Sequence, residues 1–321
     1  MHEEPPIGTN IRSNVIEQSE REPRGLILKI QRFTVHDGPG IRSTIFVKGC
    51  PLRCQWCSTP ESQSPHREII TYDQKCLGCG KCAAVCPQGA ITMEALGRRV
   101  IDWKKCDRCL KCAEVCPAGA IAIAGKYMTV TEVLAEVTSD ELFYRNSGGG
   151  VTISGGEPLA QPTFVREIFR RLKERGIHTA LDTCGFAKWE VLESVLRYVD
   201  LVLYDIKHMD TSEHIIGTGQ NNALILENAR KTAARVRTWL RVPLIPGFND
   251  SEENIRKTAE FGREIGAEQV SLLPYHEWGT PTYERIGREY ALWGIEKLSD
   301  AQIARAKEIC ESAGLPTVIG R

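Results

Sequence analysis

The stretch FVKGCPLRCQWCSTPES (residues 46–62) places Cys50, Cys54 and Cys57 within eight residues, at the end of a short β-rich segment. Three thiolates can bind three irons of a cubane cluster and leave the fourth iron without a protein ligand. An open position is typical of a catalytic metal site, whereas a structural zinc site is closed by four protein ligands. The alternative is a zinc knuckle with a distant fourth ligand. The position at a strand end favours an iron–sulfur site in this three-cysteine loop (residues 50–57).

Eight further cysteines form an internal repeat. KCLGCGKCAAVCPQGAI (75–91) recurs 30 residues later as KCDRCLKCAEVCPAGAI (105–121), and all four cysteines match. Each copy reads C-x2-C-x2-C-x3-C-P, the bacterial ferredoxin pattern in which the fourth cysteine ligates the other copy's cluster. The repeat therefore predicts two 4Fe–4S clusters. One is bound by Cys76, Cys79, Cys82 and Cys116, and the other by Cys106, Cys109, Cys112 and Cys86.

Composition sets broad limits. The chain has 321 residues, 42% of them hydrophobic and 26% charged, with a formal net charge of zero. This balance gives no electrostatic reason to expect nucleic acid or an anionic membrane as a partner. We see neither an apolar run of membrane-spanning length nor a secretory signal. Metal binding is therefore the better interpretation of the 13 cysteines than disulfides, and Cys184 and Cys310 are predicted not to be ligands.

Outside residues 66–126, β-rich runs alternate with helical patterns, which predicts a parallel sheet with helices packed outside it. We expect six strands, at 43–49, 150–154, 178–183, 201–207, 238–245 and 269–275. Helix ends are indicated by Thr129 with Glu132, by Pro162 and Gly176, and by Ser299 with Gln302.

Six β/α units are too few for a complete eight-fold barrel, so the predicted fold is a partial (β/α)6 barrel. The predicted domains are a polar tail (1–25), the barrel (26–65 and 127–321) and an inserted ferredoxin unit (66–126), which would precede a helix at 131–145. In such folds the chemistry gathers at the carboxyl ends of the strands, where KGC, SGGE, DTCG, DIKHMD, RVPLIPG and LPYH fall.

A family resemblance rests on the segment TVHDGPGIRSTIFVKGCPLRCQWCSTPES (34–62). C-x3-C-x2-C with an aromatic residue before the last cysteine is the signature of the radical S-adenosylmethionine (SAM) superfamily. The HDGPG motif upstream makes the segment similar to the glycyl radical enzyme activating enzymes. The eight-cysteine insert resembles the branch that activates dehydratases, decarboxylases and C–N or C–S lyases.

The resemblance implies reductive cleavage of SAM at the 4Fe–4S cluster held by the three-cysteine loop. The resulting 5′-deoxyadenosyl radical would take a Cα hydrogen from a glycine of a partner enzyme. An external one-electron donor such as flavodoxin or ferredoxin would supply electrons, through the inserted clusters in our interpretation; the alternative is that the inserted clusters are only structural. Oxygen-labile clusters would place the protein in the cytoplasm of an anaerobe.

The family also implies roles for single residues of this chain. Gly156 would meet the SAM ammonium, Lys207 and Arg241 the SAM carboxylate, and Trp56, Ser58 and His276 the adenosine; Ile206 lies within the same SAM-binding segment as Asp205. Asp182, Thr183 and Asp205 would bind a monovalent cation, because hard oxygens suit such an ion. Asp37 and Gly38 would face the partner's glycine-bearing loop.

The identity of the partner stays open at this point. WCSTPES (56–62) and the segment 275–299 are most similar to activators of isethionate sulfite-lyase. Activators of choline trimethylamine-lyase and of glycerol or propanediol dehydratases remain alternatives. Two other functions are also considered: a radical SAM enzyme acting on a small molecule, and an electron-transfer ferredoxin fused to a binding domain. HDGPG favours the activating enzyme over the first, and the three-cysteine site is unexplained by the second.

Overall fold

The computed structural model describes residues 22–320. The predicted tail therefore lies mostly outside the described residues, although Arg24 and Gly25, which we assigned to it, already belong to the first strand. The strands in this part of the chain are β1 (Arg24–Thr34), β2 (Arg42–Val47), β3 (Glu68–Thr71), β4 (Ile91–Met93), β5 (Arg99–Ile101), β6 (Ile121–Ala124), β7 (Lys126–Thr129), β8 (Gly150–Gly155), β9 (His178–Thr183), β10 (Leu201–Asp205), β11 (Arg237–Leu244), β12 (Gln269–Pro274) and β13 (Thr317–Ile319).

The main sheet has the strand order β13-β12-β11-β10-β9-β8-β2-β1-β7. All neighbours from β2 to β13 pair in parallel, whereas β1 pairs antiparallel with both β2 and β7. The six predicted strands are confirmed as β2 and β8 to β12. The two antiparallel strands at one edge and the short β13 at the other were not predicted. Within the described residues the two edge strands do not pair, so the sheet is open.

Helices connect the parallel strands and cover the sheet. They are α1 (Lys81–Ala84), α2 (Lys111–Glu114), α3 (Val130–Val137), α4 (Glu141–Ser147), α5 (Pro162–Glu174), α6 (Trp189–Leu196), α7 (Thr211–Thr218), α8 (Ala223–Ala233), α9 (Glu252–Glu264), α10 (Thr280–Arg285) and α11 (Asp300–Ser312).

The predicted helix ends are confirmed. Thr129 and Ser299 open α3 and α11 with complete capping boxes, and Pro162 begins α5. Gly176 follows α5 with a positive φ of 70°, a conformation that glycine adopts at little cost. The apolar face of α5 is buried against the sheet, through Phe164, Val165, Ile168, Phe169 and Leu172.

One helix prediction was wrong in detail. The expected helix at 131–145 is interrupted by a 3-10 turn at Thr138–Asp140. The Asp140 carboxylate accepts hydrogen bonds from Arg32 on β1 and from Ser43 on β2. A buried carboxylate must be paired, and its partners lie on the sheet rather than on the helix. Tertiary contacts therefore end α3 early.

The ferredoxin unit lies between β2 and β7 along the chain. Its strands form two small antiparallel sheets, β3 with β6 and β4 with β5. The two repeats adopt the same backbone: α1 and α2 are each preceded by a left-handed residue, Gly80 at φ 71° and Leu110 at φ 69°. The repeat therefore keeps its turn even where leucine replaces glycine. Among residues 22–320, no helix is long and apolar enough to cross a bilayer.

Candidate active site

A cavity of about 270 Å³ lies at the carboxyl ends of the parallel strands. Residues that end or follow β2, β8, β9, β10, β11 and β12 line it, because the carboxyl ends of parallel strands meet at one edge of a sheet. The structure brings together at this cavity most of the residues singled out in the sequence: Asp37, Cys50, Cys54, Trp56, Cys57, Ser58, Gly156, Asp182, Thr183, Asp205, Lys207, Arg241 and His276.

Two predicted residues are not among those that line the cavity. Ile206 lies between Asp205 and Lys207, and successive side chains of an extended segment point in opposite directions. Its side chain is buried in the apolar core, and its amide donates to the carbonyl oxygen of Arg241 across 2.9 Å. Gly38 has a φ of 121° and packs beside the Arg42 side chain. A side-chain role at the cavity is therefore not supported for Ile206.

Backbone hydrogen bonds fix the three-cysteine loop. The amide of Cys50 donates to the Gln63 carbonyl across 3.1 Å, and the amide of Gly49 donates to Ser62 across 2.7 Å. On the other side, Arg53 and Gln55 donate to the carbonyl oxygens of Thr218 and Gly217, at the end of α7. The loop is thus held from two directions, although it has little regular secondary structure of its own.

The chemistry of the three thiols suits a metal cluster. Burial raises the pKa of each thiol, to about 12 for Cys54. A thiolate here therefore needs a nearby positive charge, which coordination to metal supplies. Within the described residues, no three His, Cys, Asp or Glu side chains converge closely enough for a single metal ion.

The eight remaining cluster cysteines fall into the two predicted groups. Cys76, Cys79, Cys82 and Cys116 surround one small cavity of about 20 Å³. A second small cavity, of about 10 Å³, is surrounded by Cys86, Cys106, Cys109 and Cys112. Each group takes its fourth member from the other repeat, as the ferredoxin pattern predicts.

The SGGEP segment packs tightly against the residues that flank the three-cysteine loop and against the end of β9. A Cβ atom added to Gly156 would lie 2.4 Å from the Gly49 carbonyl oxygen and 2.8 Å from that of Ser62, so only glycine fits. Glu157, which we did not predict as a site residue, is buried next to it. Its carboxylate accepts from the Thr183 hydroxyl at 2.6 Å and from the amide and thiol of Cys184 at 2.9 Å. Glu157 thereby ties the end of β8 to the end of β9.

Three ion pairs lie at the cavity. Lys207 Nζ donates to Asp205 Oδ2 across 2.8 Å, and Arg241 Nη1 donates to Asp182 Oδ2 across 3.1 Å. Asp37 Oδ1 lies 3.6 Å from the same Arg241 nitrogen. The predicted cation ligands are thus partly occupied by cationic side chains, and the Thr183 hydroxyl is directed to Glu157. The other oxygen of Asp182, Oδ1, is buried without a hydrogen-bond partner among the described residues.

Aromatic side chains border the cavity. Trp56 packs against Phe248 with 4.7 Å between ring centroids, and His276 stacks on Trp278 at 4.2 Å. Such flat apolar faces suit a purine ring. Cys184 lines the cavity beside Cys50, whereas Cys310 lies on the buried face of α11, as expected of a small hydrophobic residue.

The chain is similar to several known proteins. The sequence matches the Radical SAM superfamily over residues 103–259 and the 4Fe-4S dicluster domain over residues 75–120. A crystal structure of a domain of pyruvate-formate lyase-activating enzyme from Bacteroides vulgatus is 36% identical, with a TM-score of 0.47 over 54% of this chain and 100% of that chain.

Relatives of similar length are also found. The chain is 44% identical to the isethionate sulfite-lyase activating enzyme of Oleidesulfovibrio alaskensis, over 89% of this chain and 94% of that protein. It is 40% identical to the choline trimethylamine-lyase activating enzyme of the same organism, over 94% and 99%. It is 44% identical to the benzylsuccinate synthase activating enzyme of Thauera aromatica, over 92% of each.

These matches imply SAM and a 4Fe–4S cluster as cofactors, and the dicluster match indicates further clusters. Identity of this level over nearly the full length of several relatives, together with the residues gathered at the cavity, leaves one assignment. The chain belongs to the glycyl radical enzyme activating enzymes of the radical SAM superfamily.

Proposed function

We propose that this protein cleaves SAM reductively and installs a radical on a glycine of a partner enzyme. The observation that carries the proposal is the convergence of Cys50, Cys54 and Cys57 with Gly156 and Lys207 on one cavity. When bound, the cluster supplies the electron that breaks a sulfonium C–S bond of SAM, and the 5′-deoxyadenosyl radical so formed takes the glycine Cα hydrogen.

The residues of this chain have binding and positioning tasks in that reaction. The three cysteines would hold three irons and leave the fourth for the SAM amino and carboxylate groups. Gly156, which lines the cavity, would meet the SAM ammonium, and Lys207 and Arg241 would supply positive charge for the carboxylate. Trp56, Ser58 and His276 would contact the adenosine through the indole ring, the hydroxyl group and the imidazole ring, respectively.

Finer parts of the proposal concern the cation, the insert and the tail. The unpartnered Oδ1 of Asp182 is where a monovalent cation would gain a ligand. Residues 66–126 would form the ferredoxin domain, residues 26–65 and 127–321 the barrel, and residues 1–25 the tail. The two ferredoxin clusters would receive electrons from an external donor such as flavodoxin or ferredoxin. Oxygen-labile clusters favour the cytoplasm of an anaerobe.

The partner that we propose first is isethionate sulfite-lyase. Two activators named for it are 42% and 44% identical to this chain. Asp37, which lines the cavity and belongs to the HDGPG loop, would meet the partner's glycine-bearing loop. The activator named for benzylsuccinate synthase is also 44% identical, so identity does not single out the partner, and choline trimethylamine-lyase and glycerol or propanediol dehydratase are alternatives to be tested with it.

The test uses anaerobically purified protein with SAM and dithionite. We expect 5′-deoxyadenosine and methionine as products, and a glycyl radical signal in electron paramagnetic resonance (EPR) when isethionate sulfite-lyase is added. A glycyl radical signal on another candidate enzyme instead would change the proposed partner but not the proposed activity. SAM cleavage that consumes a small molecule and leaves no protein radical would favour the alternative, a radical SAM enzyme that acts on a small molecule. Absence of SAM cleavage would contradict the proposed function.

A further inference from the structure

Residues 279–290, called here the connecting segment, contact the three-cysteine loop on one side. The Tyr283 hydroxyl donates a hydrogen bond to the Cys57 carbonyl oxygen across 3.1 Å. Gly279 packs directly on the same backbone, since an added Cβ would lie 2.8 Å from the Ser58 Cα atom and 3.0 Å from the Cys57 oxygen. Tyr283 is only 6% exposed, so its hydroxyl group has little access to water in place of this bond.

The other side of the connecting segment contacts the ferredoxin unit. Ile286 is buried in an apolar cluster with Ile70 and Ala124. Gly287 lies under the ring of Trp103, with no room for a side chain, because an added Cβ would approach the ring to 2.1 Å. The connecting segment therefore packs between the insert and the loop that would hold the SAM cluster.

Arg288 completes a chain of polar contacts from the insert to Cys50. Its Nη2 donates to Oε2 of Glu68, the first residue of β3, across 2.9 Å, and its Nη1 donates to the Pro60 carbonyl across 2.7 Å. Pro60 opens the 3-10 turn Pro60–Ser62. The Ser62 and Gln63 carbonyl oxygens, at the end of that turn, accept from the amides of Gly49 and Cys50.

Glu68 contacts two cationic side chains in this series of polar contacts. It is 3% exposed and also lies 3.4 Å from Lys48 Nζ, at the end of β2. A buried carboxylate that faces two cations holds both in one geometry, because an unpaired charge there is costly. Glu68 thereby ties β3 of the ferredoxin unit to β2 and, through Arg288, to the turn behind the cysteines.

We propose that the ferredoxin unit also positions the three-cysteine loop, with Glu68, Tyr283 and Arg288 as positioning residues. The inference rests on the proposed function, because it concerns the geometry of the loop that binds SAM. Reactive groups must be held by neighbouring residues to within a fraction of an ångström, and this loop has little secondary structure to do so. Deleting the insert would then disturb SAM binding even when electrons come from dithionite, which needs no inserted cluster.

The test compares full-length, cluster-loaded Tyr283→Phe and Glu68→Gln with the wild type. Dithionite is the reductant, so that electron delivery through the insert is bypassed. We expect the KM for SAM to rise roughly 2- to 10-fold for Tyr283→Phe, the effect of losing one hydrogen bond, while kcat changes less. With SAM added, we expect the EPR signal of the reduced cluster in the variants to differ from that of the wild type. We also expect hydrogen exchange in residues 50–63 to be faster than in the wild type, with iron content unchanged.

Tyr144→Phe is the matched control. It removes another buried tyrosine hydroxyl, which donates to the Val137 carbonyl across 2.7 Å, far along the chain from the cysteines. Its KM for SAM, EPR signal and exchange in residues 50–63 should equal those of the wild type.

Two results would overturn the inference. One is a wild-type KM, EPR signal and exchange rate in both variants. The other is loss of iron from the insert in Glu68→Gln with an unaltered SAM-cluster signal. Failure of the proposed function is recognised separately, because the wild type itself would then not cleave SAM.

Discussion

The guanidinium of Arg241 lies 3.1 Å from Oδ2 of Asp182, so a half-buried arginine contacts the carboxylate for which the sequence suggested a monovalent cation. Ser154 donates to the same oxygen across 2.6 Å. Only Oδ1 is left for a further ligand, and it is buried. Protein side chains thus balance most of the charge at the cavity, and Oδ1 of Asp182 is left without a hydrogen-bond partner among the described residues.

Asp182 makes stability depend on pH. Burial raises the pKa of its carboxyl group to about 6, against the opposing effect of Arg241. Because this pKa lies above the ordinary value, the folded protein binds the proton more tightly than the unfolded chain between about pH 4 and pH 6. The stability contribution of Asp182 therefore falls as pH rises through this range.

An asparagine at position 182 does not titrate, so we expect Asp182→Asn to gain stability relative to the wild type as pH rises from 5 to 7. Anaerobic thermal unfolding of both proteins across this range measures the difference. Two Tm curves that stay parallel would show that the pKa of Asp182 is not raised by folding.

Arg241 is predicted to contribute to SAM binding. Arg241→Met removes a charged donor from the cavity, and we expect the KM for SAM to rise roughly 10- to 100-fold, the usual effect of losing a charged hydrogen bond. Arg237→Met is the control on the same strand, since Arg237 is exposed and pairs with Glu268 at the surface. Equal KM values for the two variants would exclude Arg241 from SAM binding.

Cys54 tests the reaction centre directly. We expect Cys54→Ala to lose about one third of the bound iron, one of three clusters, and all SAM cleavage, while the ferredoxin clusters remain. Cys310→Ala, at a buried cysteine of the core, should keep iron and activity. Iron analysis and product chromatography measure both effects, and SAM cleavage by Cys54→Ala would refute the assignment of the loop.

The inserted clusters are tested by their electron donor. Cys79 and Cys109 each border a different small cavity of the ferredoxin unit. We expect Cys79→Ala and Cys109→Ala to lose iron. With reduced flavodoxin or ferredoxin as the donor, both variants should cleave SAM more slowly than the wild type, whereas with dithionite the decrease in rate should be smaller. If turnover with the protein donor is unchanged, the insert does not carry electrons and its role is structural.

Several features of the fold could be predicted from local sequence patterns. Capping boxes at Thr129 and Ser299 and the six core strands follow from short-range patterns, and the structure confirms them. β13 was missed because it has only three residues and owes its place to pairing with β12. The break after α3 was missed because Asp140 finds its partners on β1 and β2, more than 90 residues away along the chain.

The sequence by itself determined which cysteines belong together and which strand ends carry the chemistry. Their spacing is local, and a cluster pattern or a strand end needs no knowledge of distant residues. Tertiary structure decided the rest: the pairing of Arg241 with Asp182, the burial of Glu157 beneath Thr183, and the contact of Tyr283 with Cys57. These partners are 26 to 226 residues apart, so the register of the sheet and the packing of the insert, rather than any local pattern, bring them together.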